Sequence, residues 1–308
     1  MKLLVFVMAA LAGGLLGCVR LHAPERLELG SVPMPRLRAP ISEADSEQAD
    51  TAGWTRVREI PEGRESRGIC VLLPGILGSY SAPTSENRLW DDGWSIVVVA
   101  PPLVSSVMTE LRADGEGGLE EKGARVARAV DSVIVRAAEA AQREVAAMRG
   151  RSADLARKPL LVVGESLGAL MGVGVVATGL VPADAALFVA GGGSLVDVAA
   201  QSSLRRILFG DLPIDEPDFR RGYELASQFD SLAAAPILRG CPVACVTAGI
   251  DLIVPVRSQE ALWTALGEPP RYRFDGGHLE LFVFAEWNIL PAIRDMAARA
   301  GAALPSAP

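Results

Sequence analysis

Short, continuous apolar runs recur along the chain and limit its possible folds more than any other feature. Each run is rich in Val, Leu or Ile, does not alternate with polar residues, and is closed by Gly or Pro. Such runs are typical of strands buried on both faces of a parallel sheet. They lie at residues 68–75, 95–102, 159–166, 185–192 and 242–249.

Longer amphipathic segments separate these runs. Strands that alternate with helices predict an α/β fold with a mostly parallel central sheet. One long, helical-looking segment, about residues 199–238, interrupts the alternation and is predicted to be an insertion between two strands. The other predicted helices cover residues 119–149, 166–178, 257–266 and 281–300.

The amino terminus has the character of an export signal. An uncharged apolar run follows Lys2 and ends at Cys18. The run is short for a membrane span and fits the apolar region of a signal peptide. Its last four residues, "LLGC", resemble the lipobox of bacterial lipoproteins, and an ordinary signal peptide with a chance cysteine is the alternative.

The lipobox resemblance implies cleavage before Cys18 and a lipid on its thiol, which would hold the protein to a membrane of the bacterial cell envelope. Val19, in place of an acidic residue, is compatible with the periplasmic face of the outer membrane. The predicted organisation is a signal peptide, a lipid-anchored linker with four prolines, one large domain and a short tail. These parts cover residues 1–17, 18–52, 53–302 and 303–308.

Composition supports a folded domain and argues against one class of partner. Half of the residues are hydrophobic and 22% are charged, so a sizeable core is available. The formal net charge of −7 argues against a nucleic-acid-binding protein, which normally has a basic face.

The stretch "LLVVGESLGALMG" places a serine between a predicted strand and a predicted helix. Ser166 is the centre of a Gly-x-Ser-x-Gly motif. In a strand–turn–helix context this motif is a nucleophile elbow, in which the turn lifts the hydroxyl above the sheet. The sequence therefore predicts Ser166 as a catalytic nucleophile.

A serine nucleophile needs a base, and the chain has two histidines. His22 lies in the predicted linker, so His278, in the Gly-rich stretch "FDGGHLE", is the predicted base. An acid must orient the imidazole. Asp251, just past the end of a predicted strand, is favoured, while Asp197 and Asp275 remain alternatives.

Backbone N–H groups must stabilise the oxyanion that forms during acyl transfer. One predicted donor is Leu167, the residue after the nucleophile. The other is Ile76 in the loop "LLPGILGSY", with Leu77 as the alternative.

Four stretches in this order resemble the α/β-hydrolase superfamily: "PGILGS" (74–79), "GESLG" (164–168), "GIDLIVP" (249–255) and "GGH" (276–278). The resemblance covers residues 53 to about 300. It implies about eight mostly parallel strands flanked by helices, with a cap inserted after the sixth strand, where residues 199–238 lie. It implies no metal or organic cofactor. Pro74-Gly75 stands where many relatives have His-Gly, which leaves the oxyanion loop less well defined than the other motifs.

The resemblance implies a serine hydrolase that cleaves carboxylic esters of small molecules or lipid-like compounds through an acyl-enzyme. Amide or peptide bond hydrolysis by the same residues is an alternative, as is a non-catalytic binding protein of the cell envelope. Apolar cap residues are expected to line an acyl pocket: Leu208, Phe209, Phe219, Tyr223 and Phe229.

Overall fold

The computed structural model describes most of the predicted domain and parts of the segment before it. The described residues are 20–25, 28–36, 53–61, 63–76, 78–113, 117–206, 212–283 and 288–303. The predicted signal peptide, Cys18, Leu77, Leu208, Phe209 and residues 304–308 lie outside them.

Within this part of the chain, eight strands form one mostly parallel sheet, as the sequence predicted. The strands lie in the order β1-β8-β7-β6-β5-β3-β4-β2. Only the two edge strands, β1 and β2, run antiparallel to their neighbours. The bounds are β1 Leu21–His22, β2 Thr55–Arg58, β3 Gly68–Leu73, β4 Trp94–Val99, β5 Leu160–Glu165, β6 Ala185–Val189, β7 Val243–Ala248 and β8 Arg271–Phe274.

Helices cover both faces of the sheet, which explains why the central strands are apolar throughout. Residues of α2, α3, α4, α6 and α8 pack in the core on one face, and residues of α1, α9 and α10 pack on the other. The bounds are α1 Gly78–Asp91, α2 Leu103–Arg112, α3 Leu119–Arg151, α4 Leu167–Ala177, α5 Leu195–Gln201, α6 Pro217–Ala226, α7 Ser231–Ala234, α8 Val256–Ala265, α9 His278–Val283 and α10 Leu290–Ala303.

The segment between β6 and β7 contains α5, α6 and α7, and α6 packs closely on α3. A Cβ atom on Gly123 would lie 2.0 Å from the carbonyl oxygen of Phe219. A Cβ atom on Gly222 would lie 1.8 Å from the carbonyl oxygen of Glu120. This close approach buries Phe219 and Tyr223 completely. These two side chains belong to the hydrophobic core on this face of the sheet, and Phe219 also lines a small apolar cavity with Leu195 and Ile214.

Two parts of the chain differ from their predictions. The segment predicted as one helix over 281–300 contains α9 and the separate helix α10, which has Pro291 in its first turn, where proline is tolerated. The described residues of the predicted linker pack on the domain. Strand β1 pairs with β8, Val32 donates its N–H to the carbonyl of Gly240, and Met34 is buried. Among the helices described, none is both long and apolar enough to cross a membrane.

Candidate active site

Ser166 lies at the turn between β5 and α4 in a backbone conformation that residues other than glycine rarely adopt. Its φ is 55° and its ψ is −117°. For a residue other than glycine, such a positive φ costs free energy and persists only where the surrounding structure enforces it. This is the geometry of the elbow that the sequence motif predicts.

The glycines on either side of Ser166 are required by close backbone contacts. A Cβ on Gly164 would lie 2.6 Å from the carbonyl oxygen of Gly168, and one on Gly168 would lie 1.9 Å from that of Leu73. Both distances are below any normal carbon–oxygen contact. The motif therefore allows α4 to approach β3 and β5 closely and holds the serine at the end of the sheet.

The fold brings His278 and Asp251 to Ser166 from the ends of two other strands. His278 Nε2 lies 2.8 Å from Ser166 Oγ, and His278 Nδ1 lies 2.7 Å from Asp251 Oδ2. When Nδ1–H donates to the Asp251 carboxylate, Nε2 is left to accept the proton of the serine hydroxyl. All three residues are buried. The imidazole also packs against Phe282, with ring centroids 5.1 Å apart.

The Asp251 carboxylate is held by a set of hydrogen bonds. Its Oδ1 accepts the backbone N–H groups of Ile253 and Val254, at 2.9 and 2.8 Å. Its Oδ2 accepts a hydrogen bond from Gln259 Nε2 at 3.0 Å. These donors stabilise the charged carboxylate and leave Oδ2 pointing at the imidazole.

Gln259 is a buried part of this site that the sequence reading missed. Its Nε2 also donates to the carbonyl of Val254, and its Oε1 accepts the N–H of Ala248. These bonds fix the orientation of the amide, so that its N–H faces Asp251. No local pattern marks this position, because a glutamine in a helix is ordinarily solvated.

The two alternative acids have other partners. Asp197 forms an ion pair with Arg220 and accepts a hydrogen bond from Ser194 Oγ at 3.0 Å. Asp275 contacts His22 Nε2 at 2.7 Å. Of the three candidate aspartates, Asp251 is the one that the structure places against His278.

The predicted oxyanion donors both lie next to the serine. Leu167 is the first residue of α4, so its N–H has no acceptor within the helix. A Cβ on Gly75 would lie 3.0 Å from Ser166 Cβ, so Gly75, the residue before Ile76, lies against the serine. The alternative donor, Leu77, lies outside the described residues.

A second carboxyl group, that of Glu165, is buried directly before the nucleophile. Burial raises its pKa to about 7, although a hydrogen bond with Ser85 acts in the opposite direction. Its Oε1 has no hydrogen-bond partner among the described residues. The nearby thiol of Cys70 has a pKa raised mainly by burial and further by Glu165, so it stays protonated. Glu165 is therefore a group whose charge state changes near neutral pH.

We expect Glu165→Gln to change how stability depends on pH. An acid whose pKa is higher in the folded state stabilises the fold below its unfolded pKa of 4.5, and this contribution is lost as the pH rises to about 7. The neutral glutamine removes that loss. Thermal unfolding of the two proteins should show a variant that is more stable at pH 8, by up to about 3 kcal/mol, with the difference vanishing near pH 4. A constant difference at all pH values would contradict the assignment.

In the described part of the chain, no group of three His, Cys, Asp or Glu side chains is arranged to hold a metal ion.

Comparison with known proteins supports the fold assignment. No protein-family model matches the sequence, and no curated protein is significantly similar to it. An acylaminoacyl peptidase bound to a chloromethyl ketone is similar in structure, with a TM-score of 0.50 and 15% identity over 79% of this chain and 38% of that one. The esterase Pf2001 of Pyrococcus furiosus gives a TM-score of 0.50 and 15% identity over 87% and 97% of the two chains.

Both of these structures are α/β-hydrolases, and the protein described here has the α/β-hydrolase fold. The chain spans less than half the length of the peptidase. At this level of identity the likeness concerns the fold.

Proposed function

We propose that this protein is a serine hydrolase that cleaves carboxylic esters, with Ser166 as nucleophile, His278 as base and Asp251 as the acid that orients it. The observation that supports this most directly is the continuous chain of contacts from Ser166 Oγ through the imidazole to Asp251 Oδ2, at 2.8 and 2.7 Å. A non-catalytic binding protein would have no need to keep a serine in a strained conformation against a histidine and a buried carboxylate.

In the first half of the reaction, His278 Nε2 takes the proton from Ser166 as Oγ attacks the ester carbonyl. The N–H groups of Leu167 and Ile76 stabilise the oxyanion. Asp251 stabilises the imidazolium. When the tetrahedral intermediate collapses, the carbon–oxygen bond to the alcohol breaks, and the alcohol leaves with the proton from His278. Water, deprotonated by His278, then attacks the acyl carbon; the bond from this carbon to Ser166 Oγ breaks, the acid is released, and Oγ takes the proton back from His278.

Hydrolysis of an amide or peptide bond uses the same residues and is the second candidate function. The acylaminoacyl peptidase of similar fold is the observation that keeps this candidate open. The two reactions differ in the leaving group, since an amine must be protonated before it can leave.

We expect the purified protein to react with a fluorophosphonate at Ser166 and to hydrolyse nitrophenyl esters. A series of esters of increasing acyl length, together with the matching nitroanilides, separates the two candidates. The kcat/KM values for each ester and its matching nitroanilide are compared. An excess for the ester that is larger than the difference in intrinsic reactivity of the two leaving groups supports an esterase. Preferential anilide cleavage would favour the amidase, and absence of both fluorophosphonate labelling and turnover would contradict a serine hydrolase.

We also propose that the protein is a lipoprotein of the bacterial cell envelope, with a lipid on Cys18. The lipobox-like "LLGC" supports this proposal. We expect Cys18→Ser to abolish incorporation of radioactive palmitate and to leave the precursor uncleaved, because the modified thiol is absent. The Ser166→Ala protein is the control and should be labelled like the wild type. Undiminished labelling of Cys18→Ser would remove the lipoprotein proposal and leave the hydrolase proposal intact.

A further inference from the structure

The first described residues of the chain run toward the edge of the sheet that carries the candidate active site. We call this the carboxyl edge, defined by Ile76, Ser166, Asp251 and His278, each of which follows the carboxyl end of a parallel strand. Strand β1 is antiparallel to β8, with Leu21 opposite Phe274. Followed backward from Leu21, the chain therefore runs toward the carboxyl edge.

The contacts of Arg20 continue this path to the loop before His278. The carbonyl of Arg20 accepts the N–H of Asp275 at 3.1 Å. His22, on the same strand, contacts the Asp275 carboxylate. Arg20 thus lies beside the loop that leads from β8 to His278, at the end of the sheet where the candidate site lies.

The covalent chain then limits how far the proposed lipid attachment site, Cys18, can be from Arg20. Cys18 is two residues before Arg20. Consecutive Cα atoms are about 3.8 Å apart, so the Cα atoms of these two residues cannot be more than about 7.6 Å apart. A lipid on Cys18 would therefore be attached to the chain within about 7.6 Å of the Arg20 Cα, on the side of the domain that carries the carboxyl edge.

Large apolar side chains are exposed at the same edge. Ile250 and Leu252, on either side of Asp251, are 68% and 69% exposed, and Ile76 is 39% exposed. Ile250 donates its N–H to Gly276 at 3.1 Å, so its loop lies against the loop that Arg20 contacts. Exposed apolar side chains beside an active site favour contact with an apolar partner.

The net charge of the chain favours apolar contact with a bilayer over electrostatic contact. The formal net charge of the chain is −7, and an anionic bilayer would repel it. Insertion of isoleucine and leucine side chains into the boundary between headgroups and acyl chains needs no charge attraction, and its strength follows the apolar area buried.

We propose that the carboxyl edge docks on the phospholipid bilayer that holds the amino-terminal segment, through Ile76, Ile250 and Leu252, and that the substrates are acyl esters carried in that bilayer. The substrate class rests on the proposed ester hydrolase function, and the docking rests on the proposed membrane attachment at Cys18. The Ser166 hydroxyl would attack the carbonyl of a lipid ester, its alcohol would leave with the proton from His278, and water would release the fatty acid.

The docking is tested without catalysis. The full chain carrying Ser166→Ala is reconstituted in vesicles of phosphatidylethanolamine and phosphatidylglycerol, with the photo-reactive residue p-benzoylphenylalanine at position 250 or 252. The control carries it at position 237. Ile237 is 50% exposed and comes shortly before the start of β7, toward the opposite edge of the sheet.

On illumination, we expect lipid adducts at positions 250 and 252 at about tenfold higher yield than at position 237, because only the first two reach the bilayer. Adduct yield should not fall when the salt concentration is raised, because the proposed contact needs no charge attraction. Equal yields at all three positions, or a higher yield at position 237, would overturn the docking.

A second measurement tests the substrate class. For wild type, Leu252→Gln and Ile237→Gln, hydrolysis of a fluorescent acyl ester in vesicles is compared with hydrolysis of a short, water-soluble nitrophenyl ester. We expect the ratio of the two rates to fall about tenfold for Leu252→Gln and to stay at the wild-type value for Ile237→Gln. Glutamine adds no charge beside Asp251.

An unchanged ratio in Leu252→Gln would overturn the proposal that the substrate is taken from the bilayer. If the wild type hydrolyses neither ester, the proposed function fails, and the photo-crosslinking still decides whether the carboxyl edge docks. The two proposals can therefore fail separately.

Discussion

Replacing Ser166 with alanine should lower kcat for ester hydrolysis by about 10⁶ and abolish fluorophosphonate labelling. The variant loses the only oxygen that His278 Nε2 contacts at 2.8 Å in the described site, while Leu167, Ile76 and the rest of the pocket remain. A residual rate above that of water, from binding and the oxyanion N–H groups, is expected.

The fold should tolerate this change. Alanine, like serine, has a Cβ, so the strain of the positive φ at position 166 is unchanged. The melting temperature should therefore stay within about 2 °C of the wild-type value. The exposed Ser105 in α2 provides a matched control, and Ser105→Ala should keep full activity. Substantial turnover by Ser166→Ala would show that the elbow serine is not the nucleophile.

Replacing Asp251 with asparagine should lower kcat by about 10⁴. The position of Oδ1 accepts two backbone N–H groups, so the asparagine oxygen is expected to stay there and the amide nitrogen to face His278. That nitrogen donates to Nδ1 and forces the proton of the neutral imidazole onto Nε2. In this tautomer, Nε2 cannot accept the proton of Ser166.

Asp251→Asn should also lower stability. The new amide nitrogen would face Gln259 Nε2, another donor, whose orientation is held by Val254 and Ala248. Two buried donors without an acceptor between them cost about 1–3 kcal/mol. Kinetics must therefore be measured well below the melting temperature of the variant, with unfolding curves alongside.

Asp197→Asn is the control for this experiment. The Asp197 carboxylate pairs with Arg220 and accepts a hydrogen bond from Ser194, the residue that caps the start of α5, away from the His278 contacts described above. Its replacement should change kcat by less than about threefold, because a partly exposed ion pair contributes little. A large loss in Asp197→Asn combined with a small loss in Asp251→Asn would assign the acid to the end of β6.

Short-range patterns predicted the fold class and the position of the serine at the turn between β5 and α4. Short, continuous apolar runs closed by Gly or Pro are typical of central strands, and the sequence placed β3, β4, β5, β6 and β7 to within a few residues. The glycines around Ser166 could also be interpreted from the sequence, because each avoids a clash between a Cβ atom and nearby backbone. The choice of His278 followed from the small number of histidines in the chain.

The tertiary structure decided what depends on residues that are distant in the chain. Which of three aspartates meets His278 depends on where three different strands end, and the sequence only ranked them. Gln259 becomes part of the site because α8 packs against the end of β7. Likewise, Arg20, Leu21 and His22 have no strand pattern of their own, and they lie beside the candidate site because β8 offers an unpaired edge. Strand pairing and side-chain burial of this kind depend on residues that are close in space but distant in the chain, so a local stretch of sequence does not determine them.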